Sequence, residues 1–167
     1  MKRQLQAEIH QTKPFESLEQ EVYLELQLTA QVAARWVAEA LKPSRLTPAQ
    51  FNVLRILRGS RPQGLPAGVI AERMVNHDPD LTRLLDRLEA AGLVEKSRDG
   101  EDRRVVMARI TDKGLRLVKQ ASESVRHAVQ TPMKSLSASK LETLADLLEA
   151  IRGVPSSTGG TRHASRK

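Results

Sequence analysis

Apolar residues recur at three- and four-residue intervals along most of the chain, and alternate with polar ones in one short stretch. Leu18, Val22, Val32, Trp36 and Ala40 lie near one stripe, widened by Leu24 and Leu28. This spacing predicts a long helix over 18–41, started by Ser17 with Gln20 and stopped by Pro43. Thr47, Pro48 and Gln50 announce a second helix, running to about Leu57 and ended by Gly59. Residues 59–66 read as a loop, and 67–75 as a short helix. Leu81, Leu84, Leu85 and Leu88 then fall at i, i+3, i+4 and i+7, the pattern of a narrow buried stripe. The helix they predict runs from Pro79 to Ala91, with Asp78 as its cap and Gly92 as its left-handed end.

After Gly92 the period becomes two. Leu93–Lys96 and Val105–Ile110 read as strands, joined by the polar, charged tip Ser97–Arg104. A helix from Asp112 to about Gln130 follows, capped by Thr111 and broken by Pro132. A last helix over Lys140–Arg152 buries Leu141, Leu144, Ala145, Leu148 and Ile151, with Ser139 and Glu142 forming its capping box. Residues 1–16 lack a clear period and form an arm or short helix. Residues 154–167 carry three basic and no acidic side chains and read as a disordered basic tail.

Composition narrows the chemistry. The 167 residues suffice for one domain with extensions. There is no cysteine, which excludes disulfides, thiol nucleophiles, thiol switches and Cys-ligated zinc. Aromatics are 2% of the chain, too few for a base-stacking platform on single strands. The net charge is +7, with an acidic segment at 16–42 beside a basic segment at 43–114. That asymmetry fits nucleic-acid binding by the middle of the chain. The longest uncharged run near the N-terminus, Leu26–Ala34, is far short of the ~20 residues a membrane span needs. No apolar leader core precedes it, so a cytoplasmic protein is expected.

The order helix, helix, helix, strand, charged turn, strand is the winged helix-turn-helix layout: a mainly α fold with a small β-hairpin wing. A helix ~10–12 Å across fits a major groove ~12 Å wide. An arginine-bearing hairpin tip can reach the backbone or the minor groove. On the outward side of the 79–91 helix, Arg83 is the candidate base reader, able to pair bidentately with guanine. Thr82 is a phosphate contact, and Arg87 either touches phosphate or pairs with Asp86 or Glu89. Lys96 and Arg98 are weaker phosphate candidates. His77, Asp78 and Asp80 read as a polar turn with a helix cap rather than a metal site. No Ser, His or Asp stands in a nucleophile motif, so neither catalysis nor a cofactor is expected.

Three stretches, LTPAQFNVLRIL (46–57), LTRLLDRLEAAGLVEK (81–96) and DRRVVMARITDKG (102–114), resemble the MarR family of bacterial transcriptional regulators. The likeness of layout extends over 17–152. It implies a winged DNA-binding domain at 46–111. Dimerisation helices at 17–45 and 112–153 would interlock two subunits on a palindrome, with half-sites about 10 bp apart. The Asp-x-Arg pattern of the wing is met by Asp102, Arg103 and Arg104: one arginine enters the minor groove while the other, or Asp102, braces the wing. The resemblance also implies a small acidic effector, for which Tyr23, Trp36 and Phe51 are candidate lining residues. The contrasting expectation is a winged-helix protein-interaction module without DNA binding, favoured by the acidic residues Asp78, Asp80, Glu95, Glu101 and Asp102.

Overall fold

The computed structural model describes residues 5–75, 80–98 and 105–153. The chain forms two compact units, Met1–Val129 and Gln130–Lys167. In the first, α1 (Leu5–Glu8) gives the arm one helical turn, and α2 runs from Leu18 to Leu41, the span its caps predict. The Ser17 hydroxyl accepts from the Gln20 amide at 3.2 Å, while the Gln20 side chain reaches back to the Glu16 amide at 2.8 Å. A 3-10 turn, Lys42–Ser44, follows α2 and carries Pro43. Helix α3 (Pro48–Arg58) opens with the complete Thr47–Gln50 capping box.

The segment expected to be pure loop contains a short strand, β1 (Leu65–Pro66), ahead of α4 (Ala67–Arg73). Proline is tolerated there because β1 is an edge strand. The recognition-type helix α5 spans Leu81–Ala90 and therefore starts two residues later than its cap-then-proline signature suggests. Asp80 is its N-cap residue, and the expected cap at Asp78 lies outside the described residues. Strands β2 (Val94–Arg98) and β3 (Val106–Ile110) complete an antiparallel sheet of order β1-β3-β2. Val94 faces Ile110 and Arg98 faces Val106, while Leu65 faces Ala108.

The core of this unit joins Phe51, Val53, Leu54 and Leu57 of α3, Ile70 of α4, Leu84, Leu85 and Leu88 of α5, and Val118 and Ala121 of α6 (Asp112–Met133). Each contributing helix gives one stripe, so α5 is held by its leucines and leaves its opposite side to solvent.

A tight corner joins the sheet to α6. The Thr111 hydroxyl donates to the Gly92 carbonyl at 2.8 Å and accepts from the Gly114 amide at 3.0 Å. The Thr111 amide bonds the Leu93 carbonyl at 3.1 Å, and Lys113 Nζ bonds the Ala91 carbonyl at 2.7 Å. A Cβ on Gly114 would stand 2.2 Å from the Leu93 carbonyl oxygen, so only glycine lets the two backbones approach.

Helix α6 passes Pro132 and ends one residue later. Proline has no amide to donate to the carbonyl four residues back and its ring crowds that carbonyl, so the helix does not run on past Met133. In the second unit α7 spans Ala138–Ile151, and its N-cap is Ser137, whose hydroxyl accepts from the Lys140 amide at 3.4 Å. Ser139 thus lies inside the helix rather than at its cap. The α7 side chains expected to be inward are not buried: Leu144 and Ile151 are exposed. Helix α2 likewise buries Leu41 alone and exposes Leu18, Val22 and Leu26.

Candidate nucleic-acid interface

The outward side of α5 carries Thr82, Arg83 and Arg87, all exposed. Their backs are fixed by Leu84 and Leu85, each no more than 6% accessible, and by fully buried Leu88. This opposition follows from the sequence alone, because four leucines at helical spacing leave the remaining positions no apolar partner. Arg83 Nε lies 3.3 Å from Asp80 Oδ2, one turn earlier. Asp80 makes no side-chain capping bond.

Asp86 and Glu89 do not pair with Arg87. They converge on Lys96, which projects from β2. Lys96 Nζ pairs with Asp86 and with Glu89, the latter at 3.0 Å, and the Lys96 amide donates to Glu89 Oε1 at 3.0 Å. Lys96 is the least exposed member, at 23% of its side-chain surface. Hydrogen bonds to Asp86 and then Glu89 raise the Lys96 pKa above its ordinary value, and the bond to the Lys96 side chain lowers that of Glu89. Lys96 therefore ties the wing strand to the recognition helix, a role that local sequence spacing does not show. Arg87 has no carboxylate at ion-pair distance among the described residues.

This tether sets a pH dependence. The lowered Glu89 pKa contributes stability above the ordinary value of 4.5, lost as pH falls through the folded value. The raised Lys96 pKa contributes below 10.5, lost as pH rises through the folded value. Lys96→Met is expected to lower the melting temperature by a constant amount between those limits, with the gap to wild type narrowing below pH 4.5. Thermal melts of both proteins across that range check this; a gap that persists in acid refutes the tether.

Arg98 closes β2 and is exposed. Arg103 and Arg104, with Asp102, lie outside the described residues, as does His77. The candidate effector residues are not brought together. Phe51 is a core residue at 4% exposure, with the Arg55 guanidinium 5.8 Å from its ring centroid. Tyr23 is exposed and its hydroxyl accepts from Gln27 Nε2 at 2.8 Å. Trp36 alone lines an open groove between α2 and α6, with Arg35, Glu39, Ser124 and His127. Loop residues near the sheet are fixed separately: Arg61 pairs with Asp112 at 3.0 Å, and Arg109 Nε bonds the Gln63 carbonyl at 2.8 Å.

Residues 46–106 match the MarR family model. The chain is 31% identical over 119 residues to the multiple antibiotic resistance protein MarR of Escherichia coli, covering 70% of this chain and 81% of that protein. The chain belongs to the MarR family. Another relative, the HTH-type transcriptional repressor MdtR of Bacillus subtilis, is 32% identical over 102 residues, which span 61% of this chain and 64% of MdtR. Among solved structures, a MarR transcription factor from Planctomyces limnophilus matches at 39% identity and a TM-score of 0.64, covering 82% of this chain and 99% of that one. A cysteine-to-serine mutant of MarR from E. coli, in complex with operator DNA, matches at 27% identity and a TM-score of 0.70, covering 81% and 99%. CouR of Rhodococcus jostii bound to p-coumaroyl-CoA matches at 25% identity and a TM-score of 0.68, covering 82% and 95%. The winged-helix fold of a MarR protein is thus shared across most of this chain. No helix among the described residues is long and apolar enough to cross a membrane.

Proposed function

We propose that the protein is a sequence-specific double-stranded-DNA-binding regulator rather than an enzyme. In this reading it is a repressor that acts as a homodimer on a palindromic operator and is released by a small-molecule effector. The observation that carries this reading is α5 itself: a leucine-anchored helix with Thr82, Arg83 and Arg87 turned to solvent beside the arginine-bearing β2, in a fold shared with an operator-bound relative. Arg83 reads bases from the major groove; Thr82, Arg87 and Arg98 hold phosphates; Arg103 and Arg104 serve the wing. The exposed Leu18, Val22 and Leu26 of α2, and separately Leu144, Leu147 and Ile151 of α7, are apolar surface that a second copy covers. The Trp36 groove, with the Arg35 cation at its edge, suits an aromatic acid as effector. Such a protein works in the cytoplasm, on the nucleoid when bound.

Binding to the DNA upstream of its own gene, against random competitor at two salt concentrations, tests the reading. A dimer that prefers its upstream DNA is expected, with affinity falling steeply as salt rises because each subunit neutralises several phosphates. Absence of binding to any duplex at low salt would move the protein to the docking-module class.

A further inference from the structure

From the contact between Asp80 and Arg83 we infer that Asp80 is a specificity-determining residue: it holds Arg83 with its two terminal nitrogens presented outward, as a reader of guanine. The inference rests on the DNA-binding reading above and names what that face reads.

The helix dipole favours an acid at the start of α5, and this one also contacts Arg83. Asp80 immediately precedes the helix that faces DNA, where a carboxylate repels phosphate. Its helix-capping potential is not used, since the side chain makes no capping bond. Instead its Oδ2 lies 3.3 Å from the Nε of Arg83. The chemistry of the guanidinium makes this choice of nitrogen consequential. Arginine carries five N–H donors in a fixed planar fork. A carboxylate at Nε occupies one side of that fork. It leaves the end, with two parallel Nη–H bonds, for an acceptor pair. In a major groove the matching pair is the O6 and N7 of guanine. An arginine with 76% of its side-chain surface in solvent otherwise samples many rotamers, each of which must be given up on binding. Asp80 reduces that loss before DNA arrives. Lysine at 83 lacks the fork and does not replace arginine in this arrangement.

The two roles open to Asp80 have opposite signatures. As a bystander charge it weakens every duplex alike, so its removal tightens operator and random DNA together. As a positioning residue it strengthens only the duplex that Arg83 reads. Duplexes selected from a randomised pool by the wild-type protein supply the operator, and a scrambled duplex supplies the control. Asp80→Asn is expected to keep the wild-type melting temperature and to weaken binding to the selected duplex by about tenfold. Its binding to the scrambled duplex stays equal or becomes tighter. The guanine preference lost in Arg83→Ala is expected to fade in Asp80→Asn as well. In the Arg83→Ala background Asp80→Asn then has no further effect on the selected duplex, because the two residues act as one unit. Parallel tightening on both duplexes, or an undiminished guanine preference in Asp80→Asn, overturns the inference and leaves the DNA-binding reading standing. A wild-type protein that enriches no duplex overturns that reading, and this inference with it.

Discussion

Leu88→Ala is expected to destabilise the protein by about 2–5 kcal/mol. Leu88 is fully buried in the core cluster, on the helix that contacts both α3 and β2. Removing three carbons there forfeits their transfer free energy and leaves a cavity that the surrounding leucines fill only in part. For a chain of this size each kcal/mol shifts the melting temperature by about 2–4 °C. A loss of roughly 5–20 °C in a thermal melt is the expected readout. DNA binding falls too, because the side of α5 that faces solvent is positioned by the side that is buried. A melting temperature within a degree or two of wild type would show that α5 is not anchored by this stripe.

The second large effect comes from the other side of the same helix. Arg83→Ala is expected to cost about 1–3 kcal/mol of operator affinity and to relax sequence preference at one position of each half-site. Its side chain is mostly in solvent, so the melting temperature should stay close to wild type. Random DNA should be bound nearly as before, since base contacts carry the preference and phosphate contacts carry the bulk affinity. Titration of the selected and scrambled duplexes separates the two. Equal losses on both would make Arg83 a phosphate contact. Leu88 and Arg83 are five residues apart, and their variants should therefore fail in opposite ways: one in the melt, the other in the choice of sequence.

The long elements were readable from the sequence because their signals are local. Ser17 and Pro43 bracket α2, and Thr47 with Gln50 starts α3 where the capping box places it. The leucine stripe of α5 gave its buried side correctly, since a 3.6-residue period is intrinsic to the helix. Short-range ambiguity explains the errors at the ends. Ser137 and Ser139 carry similar capping signals, and the helix takes the earlier one. Asp78–Pro79 resembles a helix start, yet α5 begins only after Asp80. The strand Leu65–Pro66 gave no signal because two residues have no period, and its identity comes from β3 beside it.

Pairing between elements was hidden for a related reason. Spacing along α5 offers Asp86 and Glu89 to Arg87, whereas the fold delivers Lys96 from a strand. A helical period likewise says that a face is apolar without saying what covers it. Hence Leu144 and Ile151 of α7 look like core residues in the sequence and stand exposed in the single chain. Phe51 shows the converse: an aromatic counted as a pocket candidate is instead enclosed by its own domain.

The corner built from Thr111, Gly114 and the Gly92–Leu93 carbonyls has a mechanical consequence. Threonine and lysine bonds from the start of α6 grip the turn between α5 and β2, and the missing Cβ at Gly114 removes any spacer between the two backbones. Bending at this corner first has to break those bonds. Helix α6 is therefore fixed at its start to the turn that ends α5, and Val118 and Ala121 carry it on into the same core. Ser124 and Ala128, at the groove beside Trp36, lie about 15–20 Å along α6 from that corner. The corner at Thr111 and the groove beside Trp36 are thus joined by one continuous helical segment.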